Sequence, residues 1–250
     1  MDKGGVDDAP ANGLLAALPG ASRERLLANT QLVSLSVKDV LYHPGDSITA
    51  VYFPLTCVIS MMTEMKNGAT IEISTVGNEG VHEIPPYLGI DEAVALGITQ
   101  VSGEARRMSV EYFTQAAKSD ERFDTILRRY THALLMQIAR SGGCNSLHSV
   151  EERYTRSLLM MHDRTNVDVF AFTQEFLSRM LGVSLARMNI VTKALEKAGR
   201  IKNSRNQITV LDGKGLEASS CDCYHQKRIC ASTGVGVLLA HGVSCSRGVR

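Results

Sequence analysis

The segment 173–210 constrains the fold of this chain most, because its pattern predicts two short helices followed by a β-hairpin. Thr173 is a suitable N-cap for the first helix, and Gly182, which adopts positive φ without strain, is expected to end it. Ser184 provides a second N-cap. The second helix carries one apolar stripe, made of Met188, Val191, Leu195 and Ala198.

The hairpin has a polar and basic tip at 202–206, flanked by Ile201 and by the apolar run 208–211. Two such helices and a hairpin are typical of a winged helix-turn-helix, whose second helix enters the major groove of DNA. The alternative is an ordinary helical hairpin with solvated charges. The charge distribution favours DNA binding. Residues 149–217 contain 11 Lys or Arg and 8 Asp or Glu, whereas residues 1–148 contain 12 Lys or Arg and 17 Asp or Glu.

Two side chains of the second helix are suited to base edges. Arg187 could pair with guanine and Asn189 with adenine. Four more residues suit phosphates, which position a protein without specifying sequence: Ser184, Lys193, Lys202 and Arg205. Thr173 completes the predicted DNA interface.

The first half has a different character. A short helical segment around 14–29 precedes short apolar runs that are separated by Gly, Pro and Asn turns at intervals of roughly 8–12 residues. This spacing predicts a β-sandwich or β-roll. Strands are expected at 33–37, 40–42, 50–53, 57–62, 70–74 and within 98–108.

A long helix is predicted from about 120 to 140. Its apolar residues recur at spacings of three and four, which fits a two-helix dimer seam of Phe123, Leu127, Tyr130, Leu134 and Ile138. The alternative is packing against the chain's own β-roll. Gly142 and Gly143 are expected to end or kink this helix, and Ser149 with Glu152 forms a capping-box pair for the next one.

Composition excludes several classes of protein. No apolar run approaches the roughly 20 residues that span a bilayer, and the N-terminus lacks the basic and apolar regions of a signal peptide, so a soluble, cytoplasmic protein without membrane contact is expected. Six cysteines in 250 residues do not indicate a disulfide scaffold. No P-loop, dinucleotide-binding, GxSxG or HExxH motif is present, so we expect no enzyme and no catalytic residues.

Some cysteines and histidines are candidates for other chemistry. Cys221, Cys223 and His225, with Cys230 following, could serve metal or redox chemistry, but their spacing matches no common zinc motif. The preferred interpretation is an exposed tail, with no metal site. Cys57 and Cys144 are expected to be small buried residues. His82 could be a haem or metal ligand, although a surface loop position is favoured.

Several phrases together resemble the Crp/Fnr family of bacterial transcription regulators: LLAALPG, VLYHPGDSITAVYFP, VGNEG, VSGEA, CNSLHSVEERYTRSLLM, FTQEFLSRMLGV and ITVLDGKGLEASSCDCY. The resemblance implies an α+β fold with an N-terminal β-roll, a cyclic-nucleotide-binding-like jelly roll, then a long dimerisation helix and a C-terminal winged helix-turn-helix. The expected divisions are a sensory β-roll at 12–118, a dimerisation helix and hinge at 119–148, the DNA-binding domain at 149–217 and a disordered tail at 218–250.

The chain departs from the members of this family that bind cyclic AMP. Their Arg-Ser pair for the cyclic phosphate corresponds to Ala93 and Val94, which cannot neutralise a phosphate. We therefore expect no cyclic AMP binding of the usual kind, no evident cofactor and an unknown effector. The residues of the cradle region, which are the candidate effector site, are Gly77, Glu79, Gly80 and His82. The first cysteine is Cys57, so the N-terminal cysteine cluster of the oxygen-sensing branch is missing.

The leading hypothesis is a homodimeric, sequence-specific transcription regulator. It would bind double-stranded DNA and, if it is an activator, RNA polymerase. The recognition helix also departs from the family, with Leu185, Ala186 and Ile190 at positions that often read bases, and with Arg200 at a usually apolar position. The alternative is therefore a ligand- or partner-binding module whose winged helix contacts protein.

Overall fold

A computed structural model describes residues 11–224 of the chain. It is a mixed α and β fold with an antiparallel β domain, a long helix and a C-terminal helix-turn-helix, as the sequence predicts. The N-terminal half contains two short helices and seven strands: α1 (Gly13–Ala16), α2 (Gly20–Ala28), β1 (Gln31–Leu35), β2 (Val40–Tyr42), β3 (Ala50–Pro54), β4 (Val58–Glu64), β5 (Thr70–Val76), β6 (Leu96–Val101) and β7 (Gly103–Ser109). A 3-10 helix at Pro85–Leu88 follows β5.

Two antiparallel sheets form this β-roll, with strand orders β1-β7-β3 and β2-β6-β4-β5. Both predicted turns are formed with glycine at positive φ: Gly45, at 89°, lies in the connection from β2 to β3, and Gly68, at 78°, closes the β4–β5 hairpin. The predicted strand region 98–108 is divided into β6 and β7 by a break at Ser102. Apolar side chains from both sheets pack with the helices into one buried cluster that includes Phe53, Met61, Val76 and Met108.

Two further helices follow the β-roll, α3 (Val110–Ser119) and α4 (Glu121–Leu147). The Asp120 side chain accepts hydrogen bonds from the first backbone N–H groups of α4, which fixes where the helix begins. Gly142 and Gly143 were expected to end or kink the helix, and they do not end it, since α4 continues to Leu147. Glycine weakens a helix by only about 1 kcal/mol, which neighbouring turns can offset.

The face of α4 predicted to be a dimer seam packs inside the chain instead. Phe123, Leu127, Tyr130 and Leu134 are buried in the β-roll cluster, and Ile138 is partly buried against it. Periodicity revealed an apolar face but not what covers it, and the chain's own β-roll does so. The exposed face of α4 carries other apolar residues, Leu135 at 60% exposure, Met136 and Leu147.

The C-terminal half contains α5 (Val150–Thr165), β8 (Val169–Phe170), α6 (Gln174–Leu181), α7 (Leu185–Lys197), β9 (Ile201–Ser204), β10 (Gln207–Val210) and α8 (Gly213–Ser219). The predicted capping box is formed, because Ser149 and Glu152 each accept from the other's backbone N–H. The wing is a three-stranded antiparallel sheet of order β8-β10-β9. The sequence did not predict β8.

Residues 218–224, assigned above to a disordered tail, are folded. Cys221 is only 2% exposed, and Tyr224 packs against the C-terminal core. The Tyr224 hydroxyl also lies 3.2 Å from Asp163 Oδ2 on α5. Burial of apolar and thiol groups against α5 stabilises this segment, whereas His225 and Cys230 lie outside the described residues. None of the helices within residues 11–224 combines the length and apolarity that a membrane span requires.

Candidate nucleic-acid interface and sensory loop

The two helices of the helix-turn-helix begin at the predicted caps. The Thr173 hydroxyl accepts from Phe176 N at 3.0 Å, and Ser184 Oγ accepts from Arg187 N at 3.3 Å. Gly182 ends α6 with a φ of 63°. Residues other than glycine adopt this left-handed conformation only at an energetic cost. Glycine at this position therefore specifies the turn between the helices.

The orientation of α7 is fixed by what it buries. Met188 and Leu195 are fully buried in the C-terminal core, and Val191 packs partly against it. The buried Thr192 hydroxyl lies 2.9 Å from Gln174 Oε1 and so joins α7 to α6. Ala198, predicted to be part of the apolar stripe, is exposed at the C-cap. The remaining face of α7 is therefore held towards solvent.

Three of the predicted DNA contacts lie on this exposed face, namely Arg187, Asn189 and Lys193. Two apolar side chains are also exposed on α7, Leu185 and the 69%-exposed Ile190. Exposure of an isoleucine to this extent on α7 leaves apolar area available for a partner surface.

Lys202 and Arg205 are exposed on the wing. The tip turns through Arg205 and Asn206, which have positive φ of 49° and 63°. Glu196 faces the wing, where its carboxylate accepts from Asn203 N at 2.8 Å. This hydrogen bond attaches the wing to α7.

The remaining predicted contacts have partners within the chain. The hydroxyls of Thr173 and Ser184 cap α6 and α7, although each can still donate to a phosphate oxygen. Arg200 contacts the Ser219 hydroxyl and lies 3.6 Å from Glu151, so it links the end of α7 to α8 and α5.

The four candidate effector residues lie together on the loop after β5, but the structure buries them. Glu79 Oε1 accepts from Arg164 Nη2 of α5 at 2.6 Å. A side chain on Gly77 would lie 2.6 Å from Arg164 Cδ. These contacts bring a cation of α5 directly onto the loop after β5.

The other side of this loop is covered by α4. Tyr130 donates to the carbonyl of Val81 at 2.8 Å, and a Cβ on Gly80 would lie 2.6 Å from the Tyr130 hydroxyl. His82, favoured above as a surface residue, is 1% exposed, and its Nε2 lies 3.1 Å from Glu83 Oε1. The loop is therefore packed between two helices. Its neighbours are far apart in sequence, so no local pattern could have predicted them.

The positions corresponding to the phosphate-binding Arg-Ser pair carry no polar side chain. Ala93 is buried, whereas Val94 is 68% exposed. A crevice between the two halves of the chain is more polar, and Glu72, Arg156 and Arg164 are among its lining residues. Its volume is about 10 Å³, which is room for roughly one water molecule.

Glu72 is a half-buried residue whose carboxyl group lines this crevice. Burial raises the pKa of Glu72 to about 7, and the opposing effects of the Ser60 hydrogen bond and the Arg156 charge only partly offset it. Ser60 Oγ donates to Glu72 Oε2 at 2.7 Å. The β-roll thus contains an acid whose protonation changes near neutral pH.

Residues 152–219 match the family model of the Crp-like helix-turn-helix domain. No curated protein matches the sequence. Solved structures with the same fold include CLP, the c-di-GMP responsive global regulator of Xanthomonas campestris, at 16% identity and a TM-score of 0.63, with 78% of this chain and 100% of CLP covered.

Two further structures have the same fold. FixK2 from Bradyrhizobium japonicum is 14% identical, with a TM-score of 0.62 and with 77% of this chain and 98% of FixK2 covered. A CRP-family transcriptional regulator from Thermus thermophilus is 13% identical, with a TM-score of 0.63 and with 75% of this chain and 96% of the regulator covered. At these identities the similarity concerns the fold.

Proposed function

We propose that this chain, a Crp/Fnr-type protein by its fold and its Crp-like helix-turn-helix domain, is a homodimeric, sequence-specific DNA-binding regulator of transcription and not an enzyme. The observation that carries this proposal is the exposed face of α7, where Arg187, Asn189 and Lys193 point away from a well-packed core beside a basic wing. A helix presented in this way fits the major groove of DNA.

Each group on this surface has a definite role. Arg187 and Asn189 read base edges, guanine and adenine respectively. Leu185 and Ile190 supply apolar contacts, for which the methyl group of thymine is the matching feature of the groove. Lys193, Lys202, Arg205 and the hydroxyls of Thr173 and Ser184 bind phosphates.

A second copy of the chain docks on the exposed face of α4. Leu135, Ala139, Gly142 and Ser146 repeat there at spacings of four and three, the pattern of a two-helix seam. The space around Gly142 and Gly143 is open within the chain, so their lack of a side chain is not required by internal packing. Small residues allow two helices to approach closely. A two-fold dimer would place the recognition helices about one DNA turn apart.

The β-roll senses a signal other than cyclic AMP bound in the usual way. Ala93 and Val94 offer no charge for a cyclic phosphate, and Glu79 is already paired with Arg164. The same pair joins the sensory loop to α5, so a signal that alters the loop is passed to the DNA-binding half.

Substitutions on α7 and on the wing test this function by DNA-binding titrations in several salt concentrations, with DNA enriched from a random pool by the wild-type protein. Arg187→Ala and Asn189→Ala should each weaken specific binding by about 10- to 100-fold and relax one base position. Lys202→Ala and Arg205→Ala should weaken binding to all sequences alike and reduce the salt slope by about 1 each.

Lys118→Ala is the matched control, because this lysine is exposed on α3, outside the proposed interface. It should leave both affinity and salt slope unchanged. If Arg187→Ala and Asn189→Ala also leave specific binding unchanged, α7 does not read bases. The alternative of a protein-contacting winged helix would then be favoured.

A further inference from the structure

Four side chains with metal-binding atoms converge where the end of α4 meets the segment after α8. They are Cys144, His148, Cys221 and Cys223, and their ligand atoms all lie within 4.8 Å of one another. Cys144 and His148 are four residues apart at the C-terminal end of α4, so their side chains share one face. Cys221 and Cys223 come from the folded segment that follows α8.

We propose that these four side chains bind one zinc ion as a structural Cys3His site. In a tetrahedral site with Zn–S bonds of about 2.3 Å, two sulfur ligands lie about 3.8 Å apart, and a sulfur and a histidine nitrogen about 3.6 Å apart. The observed Cys144 Sγ to Cys221 Sγ distance is 3.5 Å, and Cys223 Sγ lies 3.7 Å from His148 Nδ1. Two of the six edges of a coordination tetrahedron are therefore close to their expected lengths, and all six are within 4.8 Å.

The imidazole is also oriented as in known zinc sites. His148 Nδ1 faces the thiols, while its Nε2 lies 3.4 Å from Asp222 Oδ1. A carboxylate on the second ring nitrogen fixes the tautomer of a zinc-bound histidine and increases its basicity. Asp222 lies between the two cysteines in sequence, so one tripeptide supplies two ligands and the group that positions a third.

Charge is compatible with a metal centre. Zinc with three thiolates and a neutral imidazole carries a net charge of about −1. Arg153 and Arg156 of α5 interact electrostatically with Cys144, and their positive charges would offset it. Arg153 is itself buried and donates to the Leu181 carbonyl at 3.1 Å, which holds it in place.

Other interpretations of the four side chains fit less well. The sulfurs of Cys144 and Cys221 are separated by 3.5 Å, well beyond the roughly 2.05 Å of a disulfide. An iron–sulfur cluster distributes its ligands over several iron atoms, whereas four ligand atoms within 4.8 Å fit a single ion.

The position of the site indicates what zinc would do. It ties the end of α4, just before the cap of α5, to the segment that closes the C-terminal half. A metal there stabilises the junction through which α4 meets the helix-turn-helix half. Because the ligands must be deprotonated and assembled, zinc binding adds directly to folding stability.

The test uses the full-length chain purified under reducing conditions, with metal content measured by mass spectrometry and with cobalt substituted for zinc. We expect one zinc per chain and a cobalt spectrum with the visible bands of a tetrahedral site and strong thiolate charge-transfer absorption. Removal of zinc by a chelator should lower the thermal midpoint by several degrees, and added zinc should restore it. A reduced protein that binds no zinc would overturn the proposal.

Variants identify the ligands. Cys223→Ser and His148→Gln change half-buried groups and should reduce zinc affinity at least tenfold, whereas Asp222→Asn should reduce it about tenfold without abolishing binding. Cys57→Ala, a buried cysteine outside this cluster, should retain one zinc per chain, as should His225→Gln and Cys230→Ser. Loss of zinc in the last two variants, with retention in Cys223→Ser, would place the metal elsewhere and refute the site.

Discussion

Arg164 of α5 donates to Glu79 of the loop after β5 at 2.6 Å, and the two side chains are only 3% and 10% exposed. This ion pair connects the β-roll to the helix that begins the C-terminal half. Arg164 also donates to the backbone carbonyl of Thr75 at 3.1 Å, so a single guanidinium group holds the end of β5 and the following loop. The guanidinium group of Arg164 thereby joins the two halves of the chain: it belongs to the C-terminal half, and its partners Glu79 and Thr75 belong to the N-terminal half.

Arg164→Met should lower the free energy of unfolding by about 3 kcal/mol, because it leaves the Glu79 carboxylate buried without this counter-charge. The Arg164→Met, Glu79→Gln double variant should lose less than the sum of the single losses, by at least about 1 kcal/mol, in urea titrations. Asp168→Asn, which removes the exposed pair with His162, is the control and should cost less than about 1 kcal/mol. If the two single-variant losses of unfolding free energy simply add in the double variant, Arg164 and Glu79 are not energetically coupled.

Glu72 should make stability depend on pH near neutrality. Its folded pKa of about 7 lies above the ordinary value of 4.5, so the folded state binds more protons than the unfolded state between these values. Its contribution to the free energy of unfolding is complete below about pH 4.5 and is lost as the pH rises through about 7, by an amount on the order of 3 kcal/mol. Glu72→Gln should flatten the pH dependence of urea midpoints in this window, and identical profiles would refute the assignment.

Leu135 on the exposed face of α4 should control the oligomeric state. Leu135→Glu would place charge in the proposed seam and should convert a dimer into a monomer in sedimentation experiments. Leu32→Glu changes a similarly exposed leucine on β1 and should remain dimeric. A Leu135→Glu protein that sediments as a dimer would exclude this face.

The sequence was sufficient to predict several features that are decided locally. The caps at Thr173, Ser184 and Ser149 and the turn at Gly182 follow from short-range hydrogen bonding and backbone sterics, and each lies where it was predicted. The base-contacting candidates Arg187 and Asn189 lie on the exposed face of α7 for the same reason, since helical periodicity assigns faces.

Features that depend on contacts between distant segments could not be predicted. The apolar stripe through Leu127 and Leu134 is the same whether the β-roll or a second copy covers it, and the structure shows the β-roll. Cys144 and Cys221 are 77 residues apart in sequence, so the spacing of the C-terminal cysteines indicates only two of the four residues in the cluster. The burial of His82 likewise depends on tertiary packing that its own loop does not specify.

Sequence-specific DNA binding is tested by selection of DNA from a random pool with the purified 250-residue protein, at moderate salt and with or without cyclic AMP. We expect enrichment of an inverted repeat with half-sites about one helical turn apart, unchanged by cyclic AMP. A pool that enriches no sequence, with binding that depends only on salt, would contradict sequence-specific regulation by this chain.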